Sequence, residues 1–179
     1  MRYVLSSLFA LALCAPVLSA QTAVDLAIGL GRGLGGSDVR DRTLLTVDAT
    51  LARTLRRLEH GAIPIALAAH GTPALDPGDC VALPGAVCGG YPGLGSVAVL
   101  TGWSRHADFS RGPRLLAGPA MVWNDGDDSE GLGLMMRADF AESLGSHAAF
   151  VFGAQSVIAP KWRGERIATA SVTVGVRLR

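Results

Sequence analysis

Ile167-Ala168-Thr169-Ala170-Ser171-Val172-Thr173-Val174-Gly175-Val176-Arg177-Leu178-Arg179 alternates along its whole length. Ala168, Ala170, Val172, Val174, Val176 and Leu178 fall on one face, and Thr169, Ser171, Thr173, Gly175 and Arg177 on the other. A period of two is the pattern of a β-strand with one apolar and one polar side. The run exceeds the five or six residues usual for a strand in a soluble sheet. It matches the roughly ten residues that a tilted strand needs to cross a bilayer.

Seven more runs of this kind precede it, over 22–32, 42–55, 62–70, 96–105, 113–123, 131–141 and 147–158. In the first, Leu26, Ile28 and Leu30 oppose Asp25, Ala27, Gly29 and Gly31. In the second, Leu45, Val47, Ala49 and Leu51 oppose Thr46, Asp48, Thr50 and Ala52. The sixth sets Leu132, Leu134, Met136, Ala138 and Phe140 against Gly133, Met135, Arg137 and Asp139. The fifth has no clear parity. Turn residues separate the runs, so the chain is expected to be all-β, in about eight antiparallel strands. No stretch after residue 20 is long and apolar enough for a membrane helix. If the chain enters a membrane it does so as a closed barrel, because closure pairs every backbone group.

The joins divide into two sets. Those after the first, third, fifth and seventh runs (33–41, 71–95, 124–130, 159–166) are generally longer than those after the second, fourth and sixth (56–61, 106–112, 142–146). Short turns at one end and longer loops at the other belong to an up-and-down barrel with both termini on the short-turn side.

The N-terminus is read separately. Met1-Arg2, an apolar run from Val4 to Ala15, Pro16 and then Val17-Leu18-Ser19-Ala20 before Gln21 make a secretory signal, leaving residues 21–179 as the barrel. Leu11-Ala12-Leu13-Cys14 is a poor lipoprotein box, since Leu13 is large. Removal of the signal leaves Cys80 and Cys88, an even pair in an exported chain and so one expected disulfide in the longest loop. The sequence holds 16 Lys and Arg against 15 Asp and Glu, and loss of Arg2 makes them equal. No basic stripe exists, and nucleic acid is not an expected partner.

Signal, alternating strands, unequal loops and a final amphipathic strand together resemble the small eight-stranded outer-membrane barrel proteins, including opacity-type proteins and the membrane domain of outer membrane protein A. The resemblance covers the whole mature chain. It implies a transmembrane barrel in the bacterial outer membrane, contact with outer-membrane lipid and lipopolysaccharide, and delivery by the barrel-assembly machinery. Such families usually end in an aromatic residue, whereas this chain ends Arg177-Leu178-Arg179.

On this topology Asp25, Asp48, Arg137, Asp139 and Arg177 lie opposite the apolar rows and are expected to pair inside the lumen. A mid-membrane Arg facing lipid would cost about 2–4 kcal/mol. Trp103, Phe140 and Phe150 fall near strand ends on the turn side, Trp123 near the loop side and Trp162 in a loop, as interfacial aromatics. Asp125, Asp127, Asp128 and Glu130 form a weak candidate cation loop without full calcium-loop spacing. His60, His70, His106 and His147 show no metal-ligand spacing, and His70 is expected to point inward near the loop rim. Lipid A deacylases on similar barrels carry a His and a Ser two apart. No strand here has that pair, since Ala154 precedes Ser156, and no Gly-x-Ser-x-Gly elbow occurs. The expected protein is non-enzymatic, binds no cofactor and presents outer loops to surface partners. The alternatives are a soluble lipocalin-like barrel for a small apolar ligand, fitting the apolar inward positions Leu100, Leu116, Met135 and Val151, or a narrow pore.

Overall fold

The structure, a computed structural model, describes residues 22–35, 43–73, 93–124, 129–162 and 165–179. The signal segment, Cys80, Cys88, Asp125, Asp127 and Asp128 lie outside them, as does the side chain of Trp162.

Eight strands follow one another: β1 (Thr22–Gly35), β2 (Thr43–Leu58), β3 (Gly61–Thr72), β4 (Leu94–Ser104), β5 (Gly112–Asn124), β6 (Ser129–Ser143), β7 (Ala148–Trp162) and β8 (Glu165–Leu178). Each pairs antiparallel with its sequence neighbours, and β1 pairs with β8 to close the barrel. No sheet edge is left unpaired, which is the condition for placing a sheet in hydrocarbon.

Register links the strands into one spiral. A row starting at Thr22 runs through Arg53, Ile65, Thr101, Ala117, Met136, Ser156 and Ala170, and returns to β1 at Arg32, ten residues beyond its start. A stagger of that size over eight strands tilts them by roughly 40° from the barrel axis.

The alternation decides which side chains face out. Leu26, Ile28, Leu45, Val47, Val99, Leu132, Phe152, Val172 and Val174 form an exposed apolar collar, with Ile28 60% and Leu132 71% exposed. Inside are alanines, threonines, serines and glycines, with Leu100, Leu116, Met135 and Val151 buried among them. The β1–β8 seam needs glycine for closeness: a Cβ on Gly175 would strike the Leu26 carbonyl, and one on Gly29 the Val172 carbonyl.

The strands run longer than the sequence pattern implies. β7 extends to Trp162, so that residue ends a strand, paired with Glu165, rather than sitting in a loop. The backbone keeps pairing past the apolar collar because hydrogen bonding does not depend on side-chain polarity. The join after β7 shrinks to 163–164 and that after β5 to 125–128, both shorter than the 105–111 join at the other end. Only the 73–93 join after β3 exceeds every join at the other end, and the 36–42 join after β1 equals the 105–111 join.

Candidate functional site

The wall carries lipid-like surface, so any polar chemistry sits in the lumen. Register brings two pairs together near the turn end. Asp25 on β1 lies opposite Arg177 on β8, and Arg114 on β5 lies opposite Asp139 on β6. Arg177 Nε donates to Asp25 Oδ1 at 2.6 Å, while its Nη2 reaches Asp25 Oδ2 at 3.1 Å and Asp139 Oδ1 at 2.8 Å. Arg114 donates to Asp139 Oδ2 from Nε at 3.2 Å and from Nη2 at 2.8 Å, and also to Asp25 Oδ2. Arg137 Nε donates to Asp139 Oδ2 at 3.0 Å and its Nη1 to Thr50 Oγ1 at 3.0 Å. Three guanidinium groups and two carboxylates from four strands thus cross the lumen, and the Thr50 hydroxyl ties in a fifth. Burial of these ions is costly, and only dense mutual pairing offsets it. Forked, long side chains also fill a narrow barrel where few large apolar groups point inward.

The 105–111 join folds into the barrel mouth below this network. Phe109 is 0% exposed and holds φ at 56°, a left-handed conformation rare for a bulky residue. Its carbonyl accepts from Arg177 Nη1 at 3.0 Å, and the Arg114 guanidinium lies 5.8 Å from its ring centroid. Thr54 Oγ1 donates to the Ala107 carbonyl, Ser104 Oγ to the His106 carbonyl at 3.0 Å, and the Ser110 amide to Asp108 Oδ1 at 3.1 Å. Burial pushes the Asp108 pKa up, but the hydrogen bonds from Ser110 and the charge of Arg179 outweigh it, and the net shift is downward. Together these contacts hold a strained turn that seals the lumen floor.

A second polar group lies nearer the loop end. Asp48 Oδ1 is 2.8 Å from His70 Nδ1 and accepts from Gln155 Nε2 at 2.9 Å. Asp48 is 1% exposed, and the buried Leu44 and Leu94 pack with Ile167 across the lumen above it. The Leu94 amide donates to Thr72 Oγ1 at 3.0 Å.

Of the inward charges named from sequence, Asp25, Arg137, Asp139 and Arg177 meet in one cluster, and Asp48 stands apart with His70. Sequence reading missed Arg114, Gln155 and Phe109. Arg114 is hidden because β5 has Leu115 and Leu116 side by side and prolines at 113 and 119, which blur its alternation. Its signal was its register position opposite Asp139. His60 and His147 are exposed and His106 lies in the 105–111 join, so the histidines do not converge. Among the described residues no three metal-ligating groups cluster. Glu130 is exposed.

The aromatic side chains divide between the two ends. Phe140 and Phe150 are exposed on the outer wall, as is Phe152, which sequence reading did not include. Trp103 covers Gly61 at the turn end and Trp123 covers Gly95 at the loop end, where an added Cβ would meet the indole rings. Glycine beneath an aromatic ring leaves room for the ring to lie flat on the wall.

A closed eight-stranded wall, apolar outside and charged within, is the fold of the small outer-membrane β-barrels. Neisserial surface protein A is similar over 89% of this chain and 97% of its own, at 13% identity and a TM-score of 0.56. Ail, the attachment invasion locus protein of Yersinia pestis, solved in complex with the heparin analogue sucrose octasulfate, covers 88% of this chain and 99% of its own at 10% identity and a TM-score of 0.47. No protein-family model and no curated protein sequence matches the chain.

Proposed function

We propose that the protein is a non-enzymatic barrel of the bacterial outer membrane that presents surface loops to partners or stabilises the envelope. The observation that carries this reading is the apolar collar around a wall with no free edge. Exposed apolar surface on that scale is unfavourable in water and favourable in hydrocarbon. The shared fold with a Neisserial surface protein supports the same setting. A lipocalin-like role would need an open lumen, whereas Leu100, Leu116, Met135 and Val151 fill it together with the Arg–Asp network.

The loop after β3 is the longest at its end and is proposed to carry recognition, closed by a Cys80–Cys88 disulfide. Loops held by a rigid scaffold usually carry binding. Fractionation with an unheated-against-boiled gel shift tests the membrane placement: a folded barrel stays with membranes and changes mobility on boiling. Recovery of the processed chain in the soluble fraction overturns it. Reduction of the disulfide should weaken surface binding and leave the mobility shift intact.

A further inference from the structure

Pairing is not equally complete around the wall. At the closing seam, β1 and β8 pair without a break from Val24↔Leu178 to Gly33↔Thr169. β3 and β4 pair at Ala62↔Ser104 and resume, in the same register, only at Ile65↔Thr101, which leaves Ile63, Pro64, Gly102 and Trp103 out of the ladder. β4 and β5 pair at Ala98↔Ala120 and resume at Thr101↔Ala117, which leaves out Val99, Leu100, Gly118 and Pro119. The other interruptions, at Gly33/Gly35, Thr54/Arg56 and Ala159/Trp162, are register shifts towards strand ends.

Both gaps beside β4 have one cause. Proline has no N–H to give a ladder. Bonded and non-bonded pairs alternate along antiparallel strands, so one missing donor removes two adjacent pairs. Pro64 cannot donate to the Gly102 carbonyl, nor Pro119 to the Val99 carbonyl. β4 therefore loses a ladder bond on each of its edges, in the middle of the wall, where hydrocarbon offers no substitute donor. Two contacts hold the strand in place. Thr101 Oγ1 donates to the Pro64 carbonyl at 2.9 Å. Gly118 lets the Val99 carbonyl lie against it, in space that a Cβ would occupy.

The lumen does not tie β4 down either. Asp25 of β1, Thr50 of β2, Arg114 of β5, Arg137 and Asp139 of β6 and Arg177 of β8 share one network. Asp48 of β2, His70 of β3 and Gln155 of β7 share the other. Among the described residues, β4 is the one strand with no side chain in either. Its Ser104 hydroxyl donates to the nearby His106 carbonyl, and its buried Ser96 hydroxyl has no partner. Behind the gaps stand the buried Leu100 and Leu116, with Ala66, Ala98 and Ala120.

We infer that β4 is a lateral gate: the closed wall opens along 97–103 and exposes the apolar middle of the lumen, while the β1–β8 seam stays shut. Opening here breaks a ladder already short of two bonds and no ion pair across the lumen. Local opening follows the fewest ties. The side chains it uncovers are apolar, so hydrocarbon can receive them. Opening at the seam would instead pull Arg177 from Asp25. The direction of opening, into hydrocarbon, rests on the membrane reading above, whereas the missing bonds do not.

The test is amide hydrogen exchange of the full chain refolded in a neutral detergent, read residue by residue against intrinsic rates. Amides of 97–103, and those of β3 and β5 that bond to β4, are expected to exchange together and faster than the paired amides of β1 and β8. Pro119→Ala, at an exposed position, supplies a donor to the Val99 carbonyl and should slow exchange on β4 by about tenfold, the worth of one hydrogen bond. Thr101→Val removes the bond to the Pro64 carbonyl and should speed exchange by a similar factor. Neither should alter the seam. The unheated mobility shift shows that each variant is folded, and Pro119→Ala serves alone if Thr101→Val fails that check. Protection of β4 equal to that of the seam overturns the gate, as does unchanged exchange in folded Pro119→Ala. Fast exchange on β4 that its partners on β3 and β5 do not share overturns it too. A chain that is folded and monodisperse without detergent overturns the membrane reading and with it the hydrocarbon side of the gate, whereas uniform protection in a membrane barrel overturns the gate alone.

Discussion

Arg177 on the last strand and Asp25 on the first are register partners across the closing seam, joined Nε to Oδ1 at 2.6 Å. The bond that completes the barrel is therefore reinforced by an ion pair at the same level, and the same guanidinium reaches Asp139 and the Phe109 carbonyl. Arg177→Ala takes one guanidinium from two buried carboxylates that keep Arg114, and is expected to cost about 3 kcal/mol, the low end for a broken buried pair. Urea unfolding in detergent or lipid measures it. Arg177→Lys restores charge without the planar fork, and should recover only part of the loss.

Closure also depends on what is missing at the seam. Gly175→Val places carbon against the Leu26 carbonyl and Ala27. Neither is a flexible side chain that can move aside. The expected result is a barrel that fails to close, seen as loss of the unheated mobility shift. The conservative Val174→Leu, on the exposed face one residue earlier, should leave the shift in place.

Phe109 holds its strained turn only through the groups around it. Phe109→Ala removes the ring beneath Arg114 and should destabilise the barrel by about 3 kcal/mol, the lower end for a buried Phe. Hydrogen exchange should quicken over residues 105–111 before it changes in the strands. Uniform protection in the variant would show that the turn does not need the ring.

Asp108 gives this turn a pH dependence. Its folded pKa lies below the ordinary aspartate value. A depressed carboxylate stabilises the folded turn above the unfolded pKa, and the contribution is lost as pH falls through the folded pKa. Protection of 105–111, taken relative to the intrinsic exchange rate at each pH, is therefore expected to be constant at neutral pH and to fall only below the ordinary aspartate range. Asp108→Asn should show the lower protection above the folded pKa and match the wild type below it.

The outer collar responds to charge by depth. Ile28, near the middle of β1 and 60% exposed, should cost about 2–4 kcal/mol as Ile28→Arg in a bilayer. Arg53 and Arg32 are tolerated because they stand towards the strand ends. Ile28→Ala, which adds no charge, should change stability by much less in the same refolding assay.

The period of two made strand number and facing legible where the two faces differ in polarity, as in β2 and β8. It failed in β5, where adjacent leucines leave both faces apolar. Strand ends were misplaced outward of the collar, at Trp162 above all, because backbone pairing continues where the side-chain pattern stops.

Alternation is a local property, so residues two apart share a side whatever the rest of the chain does. By itself it determined that this protein is a set of long strands with apolar and polar faces, and that Asp25 and Asp48 both turn inward. Which charges meet was decided only by the tertiary structure. The ten-residue stagger places Asp25 beside Arg177 and across from Arg114, and leaves Asp48 to His70. That stagger is a property of the closed wall, and so is the space into which Phe109 folds. Neither exists until β8 pairs with β1.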